Sequence, residues 1–172
     1  MATELLQPTQ EHIIHVLMKK NPALDEQKLR SAVAFISEAH KGQFRKSGMP
    51  YTEHPYEVAK IIAEMKLDTS SVLAGLLHDV VEDTQHSLDV IKTRFGEDTA
   101  FMVDAVTKIS AAQKQGNKIE QKAETYRKFI SAMAKDPRVI MIKIADRLHN
   151  MRTLQYMKPE KRKIIAQETL DI

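Results

Sequence analysis

The segment Leu76-Leu77-His78-Asp79-Val80-Val81-Glu82-Asp83-Thr84 places an imidazole and three carboxylates within two helical turns. Read as helix, it sets Asp79 opposite Glu82 and Asp83, three and four residues on, with His78 at the edge of the same face. Such a group has two readings: a metal site with acidic residues beside it, or a solvated helix end. The second is disfavoured locally, because carboxylates at a helix C-terminus oppose the helix dipole and need compensation. A second cluster runs from Lys143 to Thr153. Asp146 and Asn150 stand one turn apart, Asn150 and Thr153 nearly so, and Lys143 precedes Asp146 by three residues. A carboxylate set among Ile144, Ala145 and Leu148 requires a cation or hydrogen-bond donors if buried. Taken alone, this segment reads most simply as a salt bridge to Lys143 or Arg147. His54, immediately before Pro55, adds a third component at an expected helix entrance, with a capping or surface histidine as the alternative. His54, His78, Asp79 and Asp146 together offer two nitrogen and two oxygen ligands. That set suits a divalent first-row ion such as Mn, Fe or Zn, with positions left for water and phosphate oxygen. His12, His15, His40, His86 and His149 are not needed for it, and His149 is not assigned the direction of Asp146.

The elements that must position these groups read as helices throughout, because apolar residues recur at helical spacing and aromatic residues are too few for strands. The spacing predicts helices over Thr9 to Lys20 and Asp25 to His40, then a Gly- and Pro-containing loop over residues 42–54. A third helix is expected from Pro55, with Val58, Ile61, Ile62 and Met65 inward. Asp68 or Thr69 is expected to cap a continuous helix through Thr84, whose Val72, Leu73, Leu76, Leu77, Val80 and Val81 form a central core element. Shorter helices follow over Ser87 to Phe95 and Glu97 to Ile109. Residues 110–120 read as a mobile loop, a functional flap or a surface connection. Beyond it, a helix over Glu120 to Ala134 is expected to turn Tyr126, Ile130 and Met133 inward. After Asp136-Pro137 a long helix carries Val139, Ile140, Ile142, Ile144, Leu148, Met151 and Leu154. A last helix begins near Pro159 and still reads as helix at Ile172, so the expectation is one all-α domain, residues 1–172, excised from a longer protein.

Composition narrows the remaining classes. The 172 residues are 42% hydrophobic and 28% charged, with five Gly and six Pro, which excludes collagen-like and generally disordered chains. The chain is long enough to bury about 70% of its extended surface. Zero Cys removes disulfides, thiol nucleophiles, Fe–S clusters and cysteine zinc sites. No apolar run reaches the roughly 18 residues of a membrane span, and the N-terminus has no secretory pattern. A cytoplasmic protein without membrane attachment is therefore expected. A net charge of +3, from 26 basic and 23 acidic residues, keeps a phosphate-rich ligand in view. The absence of an aromatic-basic repeat or a recognition helix argues against direct nucleic-acid binding. Nine Met residues are ordinary core filling.

Three motifs, His54-Pro55, His78-Asp79 with Glu82-Asp83, and Ala145-Asp146-Arg147-Leu148-His149-Asn150, occur in this order in an all-helical chain. With RKSGMPYTEHP, FGED, VDAVTKI and the final ETLDI, they make the sequence resemble the N-terminal HD-type hydrolase domain of the long bifunctional RelA/SpoT stringent-response proteins. The resemblance spans nearly the whole chain and implies an all-α HD-domain bundle. It implies Mn²⁺ held by His54, His78, Asp79 and Asp146, and Glu82 and Asp83 as the catalytic acidic pair. It also implies that Arg45, Lys46 and Ser47 receive the guanine nucleotide, that Asn150 and Thr153 line its pocket, and that Lys143 makes a phosphate or structural contact. The implied reaction removes the 3′-pyrophosphate from (p)ppGpp, giving GDP or GTP and pyrophosphate, beside adjacent synthetase and regulatory domains. The alternatives are an inactive or autoinhibited domain controlling such a synthetase, and a phosphohydrolase of another nucleotide.

Overall fold

A computed structural model describes residues 10–45, 47–112 and 118–170. Among them are ten α-helices and no strand: α1 (Gln10–Lys20), α2 (Glu26–Ala39), α3 (Glu53–Glu64), α4 (Thr69–Leu77), α5 (Val80–Asp83), α6 (Leu88–Phe95), α7 (Glu97–Ala112), α8 (Lys118–Lys135), α9 (Arg138–Arg152) and α10 (Pro159–Leu170). No helix among the described residues is long and apolar enough to cross a membrane.

The apolar run in α4 makes it the hub, packed against α2, α3, α7 and α9, with every residue from Ser71 to Leu77 buried. Asp68, not Thr69, caps it by accepting the Ser71 N–H at 3.0 Å. Gly75 leaves room for the α3 side chain of Ile62, whose Cδ1 a Cβ there would meet at 2.4 Å. The helix does not continue to Thr84 as expected; the chain turns at His78 and Asp79 before α5 resumes. The cause is local. Gly75 O, the acceptor an unbroken helix would offer the Asp79 N–H, takes the His78 Nδ1–H at 2.8 Å.

Three other expectations are corrected. α3 begins at Glu53, so His54 lies inside its first turn; Pro55 is tolerated there because first-turn N–H groups lack helical partners anyway. The predicted loop over 110–120 is helical at both ends, since α7 runs to the buried Ala112 and α8 starts at Lys118; residues 113–117 lie outside the described set. In α8 the inward face is one residue earlier than the expected stripe. Thr125 and Phe129 are buried, whereas Tyr126, Ile130 and Met133 are exposed.

Candidate metal centre

The close approach of α3 to α4, with α9 crossing both, brings three distant parts of the chain together. His54 from α3, His78 from the end of α4 and Asp146 from the middle of α9 are all buried, and their ligand atoms lie within 4.8 Å of one another. Asp79 adjoins them: its Oδ1 is 3.1 Å from His78 Nε2 and its Oδ2 is 3.6 Å from His54 Nε2. His54 Nε2 also faces Asp146 Oδ1 at 3.2 Å.

The protonation pattern tests whether a cation fits. A carbonyl only accepts, so the 2.8 Å contact with Gly75 O puts the hydrogen of His78 on Nδ1. In the neutral ring that ligation requires, its Nε2 is a lone pair, and that atom is buried without a hydrogen-bond partner. A buried acceptor facing carboxylate oxygens is unfavourable until a cation stands between them. Burial pushes His54 below its ordinary imidazole range against the pull of Asp146, toward the neutral form that ligation requires. For Asp146, burial pushes upward but is outweighed, chiefly by the Lys143 charge, leaving the carboxyl well below its usual range. Asp79 is likewise lowered although burial pushes it upward, and it accepts a hydrogen bond from Tyr51. Two imidazole nitrogens and two ionised carboxylates are a donor set for a divalent cation.

The groups around this centre differ in what they touch. Lys143 is buried, donating to Asp146 Oδ2 at 3.0 Å and to Ser110 Oγ at 2.9 Å, which corresponds to the structural alternative for this residue. Asn150 Nδ2 donates to Asp146 Oδ1 at 2.6 Å. Tyr51, from the loop before α3, donates to Asp79 Oδ2 at 2.9 Å and to Asp83 Oδ2. It thereby links the metal side to the acidic pair across the helix break, and burial together with Asp79 and Asp83 pushes its phenol upward. Asp83 is exposed and Glu82 half-buried.

Beside the centre opens a cleft of about 410 Å³, a size suited to a small ligand. Arg45, Ser47, Tyr51 and Thr153 line it, with Phe44, Tyr156 and Lys161 adding two aromatic faces and a charge that the sequence reading did not single out. The loop is pinned as a small hairpin: Arg45 N–H donates to Met49 O at 2.8 Å and Tyr51 N–H to Gln43 O at 3.0 Å. Gly48 supplies the positive φ of 82° at its tip. Lys46 lies outside the described residues.

The site's largest omission in the sequence reading is His149. It is buried, its Nδ1 is 2.7 Å from His54 Nδ1, and Arg45 Nη1 approaches the same atom at 3.4 Å. Its spacing of three residues from Asp146 was the available signal.

Comparison with known proteins places these features in a family. Residues 32–172 match an HD domain. The bifunctional (p)ppGpp synthase/hydrolase SpoT of Escherichia coli K12 is 49% identical over 145 residues, 84% of this chain and 20% of that protein. A GTP pyrophosphokinase of Myxococcus xanthus is 49% identical over 154 residues, 88% of this chain and 20% of that protein. A solved structure, described as a metazoan ortholog of SpoT that hydrolyzes ppGpp, superposes with a TM-score of 0.65 at 32% identity, covering 84% of each chain. The chain thus spans about a fifth of the length of the curated relatives it matches.

Proposed function

This chain belongs to the HD-domain family, in its SpoT-like branch, and on that premise we propose that it removes the 3′-pyrophosphate of (p)ppGpp, giving GDP or GTP and pyrophosphate, with Mn²⁺ as the resident cation. The observation that carries the reading is the buried Nε2 of His78, without a hydrogen-bond partner and facing the Asp79 carboxylate at 3.1 Å, at the side of a cleft walled by Arg45 and exposed aromatic rings.

His54, His78, Asp79 and Asp146 would hold the cation. When bound, it supplies the positive charge that polarises a phosphate oxygen and makes water more acidic. The remaining work falls to the chain's own groups. Phe44 and Tyr156, exposed on the cleft wall, offer flat faces to a purine base. Arg45 and Lys161 supply charge toward phosphate, with Lys46 assigned the same role from sequence, while Ser47 and Thr153 offer polar contacts. Asn150 orients Asp146 through its short hydrogen bond. Glu82 and Asp83 act together to orient water and accept its proton. Tyr51 holds Asp83 and Asp79 at a fixed separation. We extend the reading to a synthetase segment in the same polypeptide, on the synthase/hydrolase name of the Escherichia coli relative, and, from the sequence alone, to regulatory segments and a cytosolic site of action.

The test is chromatographic product analysis after metal removal and Mn²⁺ restoration. Pyrophosphate and GDP from ppGpp, formed only with the cation restored, are expected. A folded, metal-loaded protein without turnover would identify a regulatory domain, and preferential turnover of another nucleotide would redirect the substrate. Turnover without any divalent ion would end the mechanism. Glu82→Gln and Asp83→Asn are each expected to slow single-turnover hydrolysis by about 10²–10⁴-fold with Mn²⁺ affinity retained.

A further inference from the structure

We propose that His149 is a positioning residue of the metal centre: it accepts the Nδ1 hydrogen of His54 and so keeps the His54 Nε2 lone pair aimed at the cation. The inference rests on the metal reading above and concerns which imidazole carries which hydrogen.

The two Nδ1 atoms are 2.7 Å apart. At that distance one hydrogen lies between them, and either ring is a candidate to own it. Arg45 decides the direction. Its guanidinium only donates, and Nη1 stands 3.4 Å from His149 Nδ1. Even as a long contact, this puts the positive fork beside that nitrogen and disfavours a hydrogen there. His149 Nδ1 is therefore the acceptor, and the hydrogen belongs to His54 Nδ1. His54 Nε2 is consequently unprotonated where it meets Asp146 Oδ1 at 3.2 Å and Asp79 Oδ2 at 3.6 Å. Without His149, the favoured arrangement reverses: His54 would carry its hydrogen on Nε2 and donate it to Asp146, closing the coordination direction.

A metal-ligating histidine ordinarily gives its second N–H to a carboxylate or a carbonyl. Here His78 follows that rule with Gly75 O, whereas His54 uses another imidazole whose state Arg45 fixes. Arg45 also donates through Nη2 to Asn150 Oδ1 at 3.2 Å, and Asn150 in turn holds Asp146. One side chain on the cleft wall thus secures a His ligand and an Asp ligand, each through a single intermediary on α9.

The experiment uses the full chain and three readouts on wild type, His149→Phe and His149→Asn. Phenylalanine keeps the ring volume without an acceptor; asparagine places Oδ1 near the Nδ1 position. In metal-free wild type, ¹⁵N NMR of the His54 ring is expected to show the Nδ1–H form. His149→Phe is expected to shift His54 to the Nε2–H form and to weaken Mn²⁺ binding by about 10–100-fold in calorimetric titration, with thermal unfolding confirming a folded metal-free protein. His149→Asn is expected to restore most of the affinity. An Nε2–H form of His54 in wild type, unchanged Mn²⁺ affinity in His149→Phe, or no difference between the two variants would each overturn the proposal while leaving the metal site standing. Absence of Mn²⁺ binding by wild type would overturn the metal reading itself, and this proposal with it.

Discussion

Helices α4 and α9 both deliver side chains to the proposed metal centre, but by opposite constructions. In α4 the buried residues are apolar apart from Ser71, and the ligand His78 sits where the rod ends and the chain breaks. In α9 the buried face mixes Val139, Ile142 and Ala145 with Lys143, Asp146 and His149, while Ile144 and Leu148 are turned outward at 47% and 37% exposure. A ligand at the end of an apolar rod leaves chemistry and stability on separate residues. A ligand in mid-helix must be neutralised by its neighbours, so the contacts that tune the metal site also hold α9 in place.

Breaking that interior pairing gives the largest expected effect. Lys143→Met leaves Asp146 buried without its cationic partner and is expected to cost about 3–5 kcal/mol in urea unfolding of the metal-free protein. The loss should shrink at saturating Mn²⁺, which supplies the missing charge; a loss indifferent to metal would break the comparison. Leu76→Ala, on the fully buried face of α4, is expected to cost about 3 kcal/mol with Mn²⁺ affinity unchanged. A parallel fall in affinity would show that α4 does not separate the two roles.

Arg138 ties the starts of the two helices together, reaching Asp68 at the α4 cap, Asp98 on α7 and Asp136 before α9, each at 2.6 Å. Arg138 lowers Asp136 directly; at Asp68, burial pushes upward and is outweighed by Ser71 and Arg138. Carboxyls lowered in the folded state contribute stability that is present above their ordinary value of 3.8 and is lost as pH falls through the lower native values. Arg138→Gln is therefore expected to be less stable than wild type at neutral pH and to converge with it in acid, as followed by urea unfolding across pH. Parallel curves would remove this tie. The smallest effect is expected for Leu148→Ser, within about 0.5 kcal/mol in urea unfolding. A loss near that of Leu76→Ala would mean that the outer face of α9 is packed after all.

The same contrast explains what could be read from the sequence. The run from Val72 to Leu77 announced a core helix because burial and apolarity coincide there. His54, His78, Asp79 and Asp146 were legible as ligand-type residues in ordered motifs, and the structure brings them together. The break at His78 was not legible, because it depends on a side chain capturing the Gly75 carbonyl rather than on helix propensity. In α8 two stripes offset by one residue compete, and composition selected Tyr126, Ile130 and Met133 although Thr125 and Phe129 face the core. His149 was passed over because its partner His54 lies in another helix, and periodicity within one segment cannot show a contact between segments. The same holds for Phe44 and Tyr156, which share a cleft only after folding.

The proposed ligands of the centre come from α3, the end of α4 and α9. During synthesis, chains emerge N-terminus first at about 5–20 residues per second, so a nascent chain lacking α9 presents two imidazoles and Asp79 but lacks Asp146 and its Lys143–Asn150 support. The full donor set is therefore complete only once α9 has emerged, many residues after its first two imidazoles. The order of residues along the chain thereby sets when the donor set can close.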